Sequence, residues 1–142
     1  MIKFPDKKYN IIYADPAWNY ETWSEGASRN VKGKYKTMSM KDIYELPIQD
    51  IAEDDCILFI WVTYPKLIEG IETIKEWGFT YKTCAFSWIK TNKSFPTNQT
   101  TFLPQDSFKS FWGMGYWTRA NNELCLLATK GKPKRCSKSV QQ

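Results

Sequence analysis

Short apolar runs alternate with longer polar stretches along the chain, and this pattern predicts an α/β fold. Four runs have the length and composition of strands, and they cover residues 9–14, 56–62, 81–89 and 123–129. The first predicts a buried strand. The second is uninterrupted by polar residues, as in a central strand covered on both faces. We expect an open, mostly parallel sheet with flanking helices in one domain spanning residues 1–142.

A short helix is predicted before the second strand. Ser39 followed three residues later by Asp42 has the spacing of a capping box, which starts a helix at its amino end. This helix should extend through Leu46, because Pro47 cannot continue it.

A longer helix is predicted between the second and third strands. Pro65 suits a first helical turn, and Gly78 supplies the stop. Between them, apolar residues recur at helical spacing: Leu67, Ile68, Ile71, Ile74 and Trp77. Residues 56–89 therefore form a strand-helix-strand unit whose length implies a right-handed parallel crossover.

Two polar stretches without apolar periodicity, residues 19–37 and 91–115, are expected to be long loops. Loops of this length are usually functional or disordered. Residues 91–115 contain scattered aromatic side chains, and residues 130–138 form a basic tail. We expect both to belong to a nucleic-acid surface. The alternative is solvated charge over a small satellite core.

The composition narrows the chemistry. The 142 residues include no histidine, which excludes Ser-His-Asp and Cys-His catalysis and histidine-ligated zinc. The formal net charge of +5 favours polyanionic partners only weakly. The four cysteines form no CxxC pair, so we expect free thiols and no metal site. No apolar leader or stretch of membrane-spanning length is present, so the expected location is the cytoplasm.

The most informative tetrapeptide is Asp15-Pro16-Ala17-Trp18, at the end of the first strand. A carboxylate and an adjacent main-chain carbonyl are both acceptors and can hold an exocyclic amine, while an indole can stack on its base. An amine held this way can attack an electrophilic methyl group without a histidine base. The alternative is a strand-ending turn with a packed tryptophan.

The tetrapeptide belongs to an ordered series of motifs across residues 9–135. In order and spacing this series resembles the MT-A70 family of S-adenosylmethionine-dependent adenine-N(6) methyltransferases, especially its compact phage and bacterial members. The resemblance implies a Rossmann-like domain, S-adenosylmethionine as cofactor and nucleic acid as partner, with DNA expected over RNA. The motifs are Tyr13-Ala-Asp-Pro-Ala-Trp18, Tyr35-Lys-Thr-Met-Ser39, Phe59-Ile-Trp-Val-Thr63, Trp77-Gly-Phe79, Trp88-Ile-Lys-Thr-Asn92, Asn122-Glu-Leu-Cys-Leu126 and Lys130-Gly-Lys-Pro133.

The resemblance also implies roles for individual residues. Asp15 and the Pro16 carbonyl would hold the target amine near the methionine end of the cofactor, and Trp18 would flank the base. Ala17 completes this catalytic tetrapeptide. Five further residues are assigned to the substrate: Tyr35, Trp88, Lys90, Arg119 and Glu123.

Plainer interpretations of these substrate residues stay open. Tyr35 could pack within its loop, Lys90 could be a solvated lysine, and Glu123 could be a surface charge at a strand end. Trp61 and Trp77 are assigned to the core.

The chain departs from the family pattern in two respects. The usual Asp-Pro-Pro-Trp is Asp-Pro-Ala-Trp here, which retains the Pro16 carbonyl. The later family motifs that contact the cofactor do not appear before Gln142, so we expect an incomplete fold at the carboxyl end and weak cofactor binding. The chain is then either an amino-terminal part of a longer enzyme or a shortened protein, and a missing carboxyl-terminal segment or a partner chain could complete the cofactor site. Two functions follow: an adenine-N(6) methyltransferase, or a catalytically impaired nucleic-acid-binding relic or partner subunit on the same scaffold.

Overall fold

Four strands and three helices make up the described part of the chain. The computed structural model describes residues 4–20, 36–90, 117–137 and 139. The α/β class expected from the sequence is confirmed, with a strand at each of the four predicted places. In chain order the elements are β1 (Tyr9–Ala14), α1 (Met40–Tyr44), α2 (Ile48–Ile51), β2 (Ala52–Val62), α3 (Leu67–Glu76), β3 (Thr80–Ile89) and β4 (Asn122–Lys130).

The strands form one sheet in the order β1-β2-β4-β3. β1 pairs with β2 in parallel, whereas β4 runs antiparallel to both of its neighbours, β2 and β3. β1, β2 and β3 therefore point the same way, but the reversed β4 makes two of the three neighbouring pairs antiparallel. The expectation of a mostly parallel sheet is thus wrong for the described strands. The predicted crossover does join two strands of the same direction, but they are not adjacent because β4 lies between them.

β1 differs from its prediction as a buried strand. It lies at an edge of the described sheet, and Ile12 is its one buried residue. Ile11 and Tyr13, on the opposite face, are 59% and 66% exposed. Alternate residues of a strand face opposite sides of the sheet, and only the side of Ile12 is covered by core residues.

The core lies between one face of the sheet and the three helices. Leu58, Ile60 and Val62 of β2 are buried there with Ile74 of α3. Trp77, just after α3, is 1% exposed, and its indole N–H donates to the carbonyl of Ile43 at 2.9 Å. The other face of β2 is only half-buried. The sequence predicted that both faces of β2 are covered. Among the described residues, only the face toward the helices is fully covered.

The capping box at α1 is present. The Ser39 hydroxyl accepts from the Asp42 main-chain N–H at 3.1 Å, and the Asp42 carboxylate accepts from the Ser39 N–H at 3.3 Å. The helix ends at Tyr44, earlier than predicted, and α2, which follows Pro47, was not predicted.

A 3₁₀ turn over Tyr64–Lys66 precedes α3, which lies where the helical periodicity predicts it. Ile68 of the predicted apolar series is nevertheless 71% exposed. Gly78 then takes a φ of 78°, the left-handed conformation that suits glycine after a helix. Most of the predicted loops 19–37 and 91–115 lie outside the described residues. Within the described ranges, no helix has the length and apolar character needed to span a membrane.

The packing around Trp77 predicts a large stability difference between two tryptophans. Trp77→Ala should lower the free energy of unfolding by about 3–5 kcal/mol, because it empties a closed part of the core. Trp117 is fully exposed, so Trp117→Ala should change it by less than about 0.5 kcal/mol. Urea denaturation followed by circular dichroism measures both, and equal losses would contradict the described core.

Candidate functional site

A cavity of about 120 Å³ opens where β1 and β2 end and β4 begins. One water needs only about 10–15 Å³ of such a volume, whereas pockets for whole small molecules measure about 300–1,000 Å³. The described residues therefore enclose room for part of a ligand. The lining residues are Asp15, Pro16, Trp18, Tyr20, Trp61, Val62, Thr63 and Glu123.

The main chain of the Asp-Pro-Ala-Trp tetrapeptide is held by two hydrogen bonds. The Trp18 N–H donates to the Pro16 carbonyl at 2.8 Å, closing a tight turn around Ala17. The Ala17 carbonyl accepts from the Met38 N–H at 2.9 Å. A carbonyl oxygen has two lone pairs, so the Pro16 carbonyl retains capacity for a second donor at the cavity.

Trp18 is a packed residue at the cavity wall. It is 4% exposed, and its indole N–H donates to the Trp61 carbonyl at 2.9 Å. This bond ties the tetrapeptide after β1 to the end of β2. The position fits the packed-tryptophan alternative, because little of the ring is open to a stacking base.

Among the described residues, Asp15 and Glu123 place two carboxylates on the cavity wall, and the Lys90 ammonium group lies near them. Burial raises the pKa of Asp15, nearby Glu123 raises it further, and Lys90 lowers it. The Lys90 ammonium donates to the Glu123 carboxylate. It also lies 5.6 Å from the centre of the Trp88 ring. Lys90 and Glu123 are thus paired at the site, and neither is simply a solvated surface charge.

Trp61 was assigned to the core, but the structure places it at the cavity. Its indole N–H donates to the Tyr13 hydroxyl, and its ring meets those of Tyr13 and Trp88 edge-to-face at 6.3 and 6.0 Å. The assignment of Trp77 to the core is correct. Trp61 could have been found from its position at the carboxyl end of a strand, where α/β sheets bind ligands.

Tyr20 and Thr63 were also missed by the sequence analysis. The two hydroxyl groups are 2.9 Å apart and share a hydrogen bond beside the cavity. Thr63 follows β2 directly, so the same strand-end rule could have identified it. Tyr20 stands in the predicted loop and gave no pattern signal.

The other predicted substrate residues do not line the cavity in the described part of the chain. Trp88 is 56% exposed and borders the site through Trp61 and Lys90. Arg119 is exposed in the segment before β4 and does not line the cavity. Tyr35 lies outside the described residues.

The basic tail begins at the opposite end of β4. Lys130 is paired with Cys56 near the start of β2, and the Lys132 N–H donates to the Asp55 carboxylate at 2.7 Å. Seven residues separate Lys130 from Glu123, which is roughly 23 Å along a strand. The tail therefore does not extend the cavity.

Comparison with known proteins finds relatives over most of the chain. The model of the MT-A70 family matches residues 9–142. The chain is 38% identical over 104 residues to the type II methyltransferase M.MunI of Mycoplasma sp, a match that covers 62% of this chain and 45% of that protein.

Two eukaryotic relatives match a larger share of the chain. The N6-adenosine-methyltransferase non-catalytic subunit MTB of Arabidopsis thaliana is 34% identical over 131 residues, covering 90% of this chain and 15% of that protein. The N(6)-adenosine-methyltransferase catalytic subunit METTL3 of Homo sapiens is 26% identical over 129 residues, covering 89% and 18%. The chain thus spans less than half the length of these relatives.

The contact between Trp18 and Trp61 predicts a loss of stability when the indole is replaced. Trp18→Phe leaves the Trp61 carbonyl without the indole N–H donor, which should cost about 1–3 kcal/mol of unfolding free energy, and the smaller buried ring leaves a space that adds to this loss. Trp117→Phe is the matched control and should leave it unchanged. Equal stability of the two variants in urea denaturation would show that the hydrogen bond does not hold the tetrapeptide.

Proposed function

The chain belongs to the MT-A70 family, and on that premise we propose that it transfers a methyl group from S-adenosylmethionine to the exocyclic amine of adenine in nucleic acid. The observation that carries the proposal is that the adjacent residues Asp15 and Pro16 line one cavity. DNA is the proposed substrate. The higher identity to a type II methyltransferase than to the N(6)-adenosine-methyltransferases supports this choice.

The residues present fit the reacting end of the cofactor. S-adenosylmethionine, when bound, supplies an electrophilic methyl group on a positively charged sulfur. The carboxylates of Asp15 and Glu123 provide negative charge at the cavity. The cavity is smaller than a whole-ligand pocket, so we assign only Asp15 and Pro16 to this end of the cofactor.

Asp15 and Pro16 would orient the amine. An exocyclic NH₂ group has two donors, one for the Asp15 carboxylate and one for the free lone pair of the Pro16 carbonyl. Such a pair of acceptors holds the nitrogen in the orientation needed for attack. Correct orientation of the reacting groups accounts for much of the rate enhancement by enzymes. Asp15 would then take the proton that the nitrogen releases, so it must be ionised beforehand.

Lys90 would favour that ionised state of Asp15. Glu123 opposes ionisation of Asp15, and Lys90 favours it. The pairing of Lys90 with Glu123 offsets part of the repulsion between the two carboxylates.

Three residues are proposed for the nucleic-acid side. Trp88 is 56% exposed although Lys90 and Trp61 contact its ring, and its free surface would stack on a base. Arg119 would contact a phosphate. Tyr35 retains the substrate-loop role implied by the resemblance.

A second candidate is a non-catalytic nucleic-acid-binding or partner subunit. It is favoured by the identity to the Arabidopsis subunit named non-catalytic and by alanine at position 17. The discriminating measurement is methyl transfer by the wild-type chain. Binding of an adenine-containing DNA strand without transfer would favour this second candidate.

Asp15→Ala should abolish methyl transfer, with a loss of roughly 10²-fold or more, because the amine loses an acceptor and its proton loses a destination. Incorporation of labelled methyl into adenine-containing DNA and RNA oligonucleotides measures this and the substrate preference. Asp55→Ala, an exposed carboxylate near the other end of the sheet, is the matched control and should retain activity. A fully active Asp15→Ala variant with a native circular dichroism spectrum would refute the assigned role.

The charges at the cavity also predict a pH dependence. Transfer requires ionised Asp15, so the rate should fall as pH drops through the raised pKa of Asp15. Lys90→Met removes the charge that lowers this pKa and should move the acid limb of the pH–rate profile to higher pH. Glu123→Gln removes a like charge and should move it to lower pH.

The exposed Lys82 supplies the matched control for that profile, since Lys82→Met changes a charge on β3 outside the cavity. Its acid limb should coincide with that of the wild type. Shifts of the same sign in Lys90→Met and Glu123→Gln would contradict the described electrostatics.

A further inference from the structure

Asn121 holds the end of β3 by a contact that continues the sheet. The last described pair of the β3–β4 ladder is Ile89 with Asn122. One residue further out, the side-chain oxygen of Asn121 accepts from the main-chain N–H of Lys90 at 2.9 Å. A side chain thus supplies the acceptor for the next rung, and it joins residues that stand 31 apart in sequence.

This contact determines where the Lys90 ammonium can lie. Lys90 is the first residue after β3 and carries its charge on a flexible four-carbon stem. Its ammonium group bonds the Glu123 carboxylate and lies over the Trp88 ring. Fixing the Lys90 main chain shortens the range over which that ammonium group can move.

The charged groups that face Asp15 come from two other parts of the sheet. Glu123 belongs to β4, and Lys90 follows β3. Tyr20 also lines the cavity and shares a hydrogen bond with Thr63. Among the described cations, Lys90 is the one that acts on Asp15, so its placement affects how far the two carboxylates are balanced.

We propose that Asn121 is a positioning residue: its side-chain oxygen anchors the Lys90 main chain and thereby keeps the Lys90 ammonium paired with Glu123 beside Asp15. The catalytic consequence rests on the proposed function, whereas the electrostatic consequence does not. Asn121 itself touches no reacting atom in this assignment.

The test uses the whole chain and three variants. Asn121→Leu keeps a similar size but lacks the acceptor, and Asn121→Asp keeps an acceptor oxygen. Asn122→Ala is the matched control, because the Asn122 amide donates to the Ser87 hydroxyl at 2.8 Å and does not touch Lys90 through this bond. Amide hydrogen exchange should show the Lys90 N–H protected in the wild type, Asn121→Asp and Asn122→Ala, and unprotected in Asn121→Leu.

Carbon-13 NMR titration of the carboxyl groups supplies a second measurement that needs no catalysis. Asn121→Leu should move the Asp15 titration to higher pH, because Lys90 no longer favours the ionised form. The same substitution in a Lys90→Met background should produce no further shift, because Asn121 acts on Asp15 only through the Lys90 charge, which is already absent. An unmoved Asp15 titration in Asn121→Leu, or an equal shift in both backgrounds, would overturn the proposal.

Methyl transfer then separates this proposal from the function on which it builds. If the wild type transfers methyl groups, Asn121→Leu should move the acid limb of the pH–rate profile to higher pH, as Lys90→Met does, and Asn122→Ala should leave it unmoved. A shifted titration in a chain that transfers no methyl group would support the role of Asn121 and contradict the proposed activity.

Discussion

The reversed direction of β4 is the constraint on which the site depends. The carboxyl ends of β1, β2 and β3 lie at the same end of the sheet. Because β4 runs antiparallel between β2 and β3, its amino end lies there too. Glu123 therefore reaches Asp15 although the two residues lie far apart in sequence. A parallel strand in this place would put Glu123 at the other end of the sheet.

The tetrapeptide depends on its attachment to β2. Backbone bonds at Pro16 and Ala17 shape the turn, and the Trp18 indole fastens it to the Trp61 carbonyl. A second proline would restrict the backbone further, whereas alanine leaves it more freedom in the unfolded chain, a difference of about 0.4–1 kcal/mol. A single hydrogen bond of typical net strength, about 0.5–1.5 kcal/mol, is sufficient to offset that loss.

Hydrophobic patterning located the strands and the longest helix because these elements bury alternate or helically spaced side chains. It did not give the sheet order, since the position of β4 depends on contacts between distant segments. Trp61 illustrates the same limit at the site. Its apolar run matched a core strand, yet the carboxyl end of that strand borders the cavity. Asp15 was found because a carboxylate and a proline at a strand end form a local signal, whereas Asn121 acts through a residue 31 positions away and left no such signal.

The length of β4 has an electrostatic consequence. The tail lysines begin roughly 23 Å from Glu123, whereas at physiological ionic strength the field of an exposed charge decays over about 8 Å. Counter-ions therefore cancel most of the tail's influence before it reaches the carboxylates. The net charge of +5 thus bears on how the whole molecule attracts a polyanion. The protonation of Asp15 depends instead on its burial and on its near neighbours Glu123 and Lys90.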